Sequence, residues 1–258
     1  MPKIDAFGAL LHAKHAFMPN KLGYCGPDDR GAILRHLQES SIDDNLVATL
    51  KNFEAAYPFI HLIGKSNGLQ PFDRKVTEAY WIGNELLGNV APEEFYNFSL
   101  RDLKKKNSTE IKNLFLNLRD RAMPHHTFYV ISTAISVISD FHHSSNRDPT
   151  KISEVMDNCR ISWGEVLNVE KDSLLVKYRP LQLVDGLVAL TKKSVKKKVK
   201  YDQTVPPFEN VSPGDFVSIH WNFACEVLSE AQVDNIRKYT QRDASSTNFF
   251  LDKMKRSI

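Results

Sequence analysis

Cysteine is scarce in this sequence: three residues, Cys25, Cys159 and Cys225, spread over 258 positions. An odd number so widely spaced makes no disulfide framework and points to reduced thiols in a cytoplasmic setting. No apolar run reaches membrane-spanning length, since the longest, Phe128 to Ile138, is broken by Ser132, Thr133 and Ser136. The opening Met-Pro-Lys-Ile-Asp lacks the basic, apolar and small-residue order of a secretory signal. No phosphate-binding glycine loop, dinucleotide fingerprint or Gly-x-Ser-x-Gly elbow occurs, which removes the usual footholds for nucleotide and hydrolase chemistry. The net charge is only +3, and most of it traces to the run Lys192 to Lys200, so the chain as a whole is not marked for nucleic acid.

What remains is the composition of a globular protein, 42% hydrophobic and 25% charged, long enough for two domains. The first half reads as helical. Ile4, Phe7, Leu10 and Leu11 form one face of a helix ending at Pro19-Asn20. Asp28 or Asp29 caps a helix with Ile33, Leu34 and Leu37. Asp43 or Asp44 caps another, carrying Leu46, Leu50, Phe53 and Tyr57 until Pro58 breaks it. Asp73 starts a helix with Val76, Tyr80 and Leu87 inward, and Ser108 to Leu118 outlines a further one. Phe128 to Ile138 is apolar on most sides and reads as a buried helix, with a strand as the alternative. The polar stretch His142 to Thr150 marks the boundary between residues 1–150 and 151–258.

From Cys159 the period changes to two. Ile161, Trp163 and Val166 belong to one strand, and Leu174, Val176 and Tyr178 to the next. Val184-Asp-Gly-Leu187 is an Asp-Gly hairpin turn. Phe216 to Trp221 alternates as a strand, and Phe223, Val227 and Leu228 fall at helical spacing after Asn222. His220 is therefore expected where a strand hands over to a helix, and Cys225 on the apolar face of that helix. The expected fold is α+β: an all-helical domain over residues 1–150, then a small OB-like β-barrel with a terminal helix.

Two stretches of the second half carry a resemblance. Cys159-Arg-Ile-Ser-Trp-Gly164-Glu-Val166 sets a cysteine five residues before a glycine opening a valine-bearing strand. Gly214-Asp-Phe-Val-Ser-Ile-His220-Trp-Asn-Phe223-Ala224 follows. Together they resemble the HypC/HupF family of [NiFe]-hydrogenase maturation chaperones, over about residues 157–240. The resemblance implies that Cys159 and His220 hold an iron bearing cyanide and carbon monoxide. It also implies metallocentre assembly proteins and a hydrogenase large subunit as partners, and a carrier rather than an enzyme. Low-spin iron with strong-field ligands suits a soft thiolate and a neutral imidazole, and the neighbouring Arg160 is expected to favour the thiolate. The sequence departs from the family in three places. Cys159 is internal, Trp163 stands for the family proline, and Asn222 stands for the glycine after the histidine. The first half is similar to an uncharacterised group of bacterial proteins.

Cys25, in Gly-Tyr-Cys-Gly-Pro-Asp-Asp before a helix, is either a thiolate near a helix N-terminus or part of a loop built for its turn. Cys25 and His125 are the further candidates for completing a metal site. By spacing alone the pairs His125-His126 and His142-His143 read as solvated surface, and His12 and His15 are compatible with exposure. Two other functions are open. The lysines of Lys192 to Lys200 could grip nucleic-acid phosphates, although no stacking aromatics are interleaved with them, and they equally guard a barrel edge. Cys25 could instead serve as an enzymatic nucleophile with His125.

Overall fold

The computed structural model describes residues 5–28, 32–102, 118, 121–132, 149–206 and 208–255. Six helices lead the chain: α1 (Ala6–Lys21), α2 (Ala32–Gln38), α3 (Asp44–Lys51), α4 (Tyr57–Ser66), α5 (Arg74–Trp81) and α6 (Pro92–Asp102). Residues 126–132 are helical, and α7 (Pro149–Cys159) leads into the strands. Strands β1 (Ser162–Val169), β2 (Ser173–Tyr178), β5 (Val195–Lys200), β6 (Phe216–His220) and β7 (Phe223–Leu228) close a barrel in the order β1-β2-β5-β7-β6. A separate hairpin of β3 (Leu181–Val184) and β4 (Leu187–Leu190) stands beside it, and α8 (Glu230–Lys255) ends the chain. The α+β class, the barrel and its terminal helix thus agree with the expected architecture. The boundary stretch His142 to Thr150 and the helix expected over Ser108 to Leu118 fall almost wholly outside the described residues.

Local chemistry explains most of these elements. Asp43 caps α3 by accepting from the Leu46 N–H at 2.8 Å. Asp185 and Gly186 both have positive φ, the left-handed pair that a two-residue hairpin turn requires. Pro58 does not break a helix. It sits in the first turn of α4, where the missing N–H has no intrahelical partner to lose. Phe7 is exposed rather than inward, and α1 is buried on nearly every side from Gly8 to Asn20.

A larger correction concerns the chain after His220. Trp221 and Asn222 have φ of 50° and 59°, and β7 follows at once, paired antiparallel with β6. The expected helix over Phe223–Leu228 is a strand, because two successive left-handed residues make a tight hairpin. Helical spacing of Phe223, Val227 and Leu228 coincides with a run buried on both faces, which shows no period of two. Cys225 is buried as expected, but on this strand.

One apolar core runs through both halves. Phe17, Ile60, Tyr80, Trp81 and Phe128 pack in the same cluster as Ile161, Phe223, Leu228, Ile236 and Tyr239. Helix α1 lies along β6 and β7, with Phe17 edge-on to Phe223 and Lys14 paired to Glu226 at 2.8 Å. Gly83, at φ 92°, lets the Tyr239 ring of α8 approach so closely that a Cβ there would lie 2.2 Å from it. Tyr239 then donates to Asn84 O. A second core fills the barrel around Val166, Val176, Val199 and Val217.

Candidate metal centre

His220 closes β6 and faces the seam between the barrel and α1. Its Nδ1 donates to the backbone oxygen of His15 at 2.7 Å. That oxygen is free to accept because Pro19, four residues on within α1, has no N–H to offer it. A carbonyl only accepts, so the hydrogen of His220 is on Nδ1 and the lone pair is on Nε2. Nε2 is buried without a hydrogen-bond partner. Desolvation holds His220 down to about 4, so the ring is neutral.

Cys159 is the last residue of α7, and His126 opens the helical stretch at 126–132. Ligand atoms of His126, Cys159 and His220 lie within 4.8 Å of one another. His126 is held at both ring nitrogens, Nδ1 at 3.1 Å from the Tyr80 hydroxyl and Nε2 at 2.9 Å from the Cys159 carbonyl oxygen. Burial pushes the Cys159 thiol up to about 12, and a charge on Cys25 would raise it further. The indole N–H of Trp221, which has no oxygen or nitrogen partner, acts on the sulfur in the opposite sense. Trp81 packs against the imidazole rings here. His12, His15, His126 and His220 all lie around it, with ring centroids between 4.6 and 5.7 Å away.

The structure therefore brings Cys159 and His220 together, joined by His126. His125 turns away, its Nδ1 2.6 Å from Asp243 Oδ2 in a buried pair on α8. Cys25 stands outside the three-residue set, although a charge on it would act on the Cys159 thiol. Its loop is fastened by Asn20, whose amide donates to the Cys25 and Pro27 carbonyls, and by Tyr24 stacked on Trp221 at 4.1 Å. His125 and His126 are buried, against the expectation of solvated surface, and His12 and His15, whose spacing is compatible with exposure, are buried too. Nothing in their spacing shows it, because the partners that bury them come from α5, α8 and the barrel.

Arg160 does not assist the thiol. It is fully buried and forks onto Asp157, Nε at 3.0 Å and a terminal nitrogen at 2.8 Å, with a further bond to Arg179 O. Asp157 also takes the Tyr178 hydroxyl and the Leu181 N–H, so the charge pair ties α7 to β2 and β3. In the lysine run, Lys196, Lys198 and Lys200 are exposed along β5, which pairs with β2 along its length and with β7 only at Lys200. Lys198 is paired to Glu170, and Lys197 lies over the Tyr178 ring.

Such an arrangement defines an α+β protein with a thiol and two neutral imidazoles gathered where its helices meet its barrel. The chain belongs to a family of unknown function, DUF6390, whose match covers residues 4–254 and so spans both halves. No curated protein and no solved structure matches it. Among the described residues, no helix is long and apolar enough to cross a membrane.

Proposed function

We propose that this protein is a metallocentre carrier that holds an iron centre through Cys159, His220 and His126 and passes it to a recipient enzyme. The resemblance of residues 157–240 to HypC/HupF chaperones makes a [NiFe]-hydrogenase large subunit the expected recipient and iron with cyanide and carbon monoxide the expected cargo. The observation that carries this reading is His220 Nε2, buried without a hydrogen-bond partner, in a residue whose ligand atom lies within 4.8 Å of those of Cys159 and His126. A buried acceptor left unpaired costs about 1–3 kcal/mol, and a cation bound there removes that cost. One thiolate and two imidazoles suit iron or zinc.

The protonation states argue against nucleophilic use of the same residues. A cysteine nucleophile needs a lowered thiol and a basic imidazole. Here burial drives the thiol up to about 12 and His220 down to about 4, the opposite of an ion-paired dyad. A neutral imidazole and a thiol that yields its proton only to a cation are the resting forms of a metal site.

Metal content and infrared spectra of protein purified anaerobically from its host test the reading. Iron accompanied by cyanide and carbonyl stretching bands is the expected result. Cys159→Ala should lose the metal while keeping the circular dichroism of the barrel. Equal iron in variant and wild type would remove the basis of the proposal.

A further inference from the structure

Three contacts in a row connect Ala55 to Cys159 through Tyr80 and His126. The Tyr80 hydroxyl is 2.7 Å from Ala55 O and 3.1 Å from His126 Nδ1, and His126 Nε2 is 2.9 Å from Cys159 O. Both ends of the row are carbonyl oxygens, which only accept. Between them the phenol supplies one hydrogen and a neutral imidazole supplies one. The shorter contact takes the phenol hydrogen to Ala55 O, which leaves the Tyr80 oxygen to accept from His126 Nδ1.

A cation at Nε2 fits this pattern. The imidazole hydrogen then lies on Nδ1 and is donated to the Tyr80 oxygen, and Tyr80 donates its own hydrogen to Ala55 O. Nε2, 2.9 Å from Cys159 O, is then the ring nitrogen with a lone pair for a cation, and a ligand atom of His126 lies within 4.8 Å of those of Cys159 and His220.

We propose that Tyr80 is the positioning residue of the metal centre: by accepting the Nδ1 hydrogen of His126 and donating to Ala55 O, it commits the Nε2 lone pair to the metal. The inference rests on the metal reading above. Tyr80 itself does not touch the metal.

The test uses the full-length chain labelled at the histidine nitrogens, with zinc ion as the probe and long-range nitrogen–proton spectra as the readout. With zinc bound, His126 should be in the Nδ1–H form. Tyr80→Phe keeps the ring and removes the hydroxyl, and should weaken zinc binding by about 10–100-fold without changing its stoichiometry. Should that variant fold poorly, the wild-type spectra decide alone. His126 protonated on Nε2 with zinc bound, or a folded Tyr80→Phe protein of unchanged affinity, would overturn the inference. Failure of the metal reading itself has another signature: no zinc bound by the wild type, or equal binding after Cys159→Ser and His220→Ala.

Discussion

Pro19 determines what the His15 carbonyl does. In an uninterrupted helix that oxygen accepts from the N–H four residues on, but proline has none, and the Nδ1 of His220 takes the place at 2.7 Å. A proline near the end of a helix costs little there and gives a barrel histidine its only fixed tautomer. Pro19→Ala restores an N–H facing the same oxygen and sets it in competition with His220. The variant is expected to keep α1 and to bind zinc several-fold more weakly, as measured by chelator competition, because outer partners of a ligating histidine typically contribute tenfold or more. Unchanged affinity would mean that packing against Trp81, with ring centroids 5.7 Å apart, suffices to orient the ring.

The β6–β7 hairpin carries His220 at its end, and its turn is built from two residues that are not glycine. Trp221 and Asn222 both adopt positive φ, which asparagine tolerates and β-branched residues do not. Asn222→Gly should therefore leave stability within a few tenths of a kcal/mol, while Asn222→Val should cost about 1–2 kcal/mol in denaturant unfolding. Equal stability of the two would show that the turn relaxes out of the left-handed region. This turn also marks the limit of what the chain discloses in one dimension. Strand alternation and the Asp185-Gly186 turn are local signals, and with them most of the barrel was legible. Trp-Asn carries no glycine to announce a tight turn, and a strand buried on both faces mimics helical spacing, so β7 was hidden. Of the site, Cys159 and His220 were legible through the motifs around them. His126 was not, because its claim depends on Tyr80 and Cys159, 46 and 33 residues away.

At the scale of the molecule, the helices and the barrel bury histidine where they meet, and that sets a lower limit on pH. In the unfolded chain each imidazole takes a proton near 6.5, whereas in the folded protein burial lowers His12 and His15 to about 3 and His220 to about 4. Between those values the unfolded chain binds more protons, so stability is full above 6.5 and is lost as the pH falls. Each proton contributes about 1.4 kcal/mol per pH unit, so these three residues together approach about 4 kcal/mol per unit. Asp243 and Glu78, both raised by burial, work in the other direction. Against a total stability of about 5–15 kcal/mol, the chain should unfold cooperatively in acid, before its exposed carboxylates are protonated. Thermal melts taken from neutrality downward should show the midpoint falling steadily below pH 6.5. His12→Gln, which removes one buried imidazole bonded to the Trp81 N–H, should make that fall shallower by about one proton's worth. A melting temperature that stayed level down to pH 5 would mean that these histidines reach water more readily than their packing around Trp81 allows.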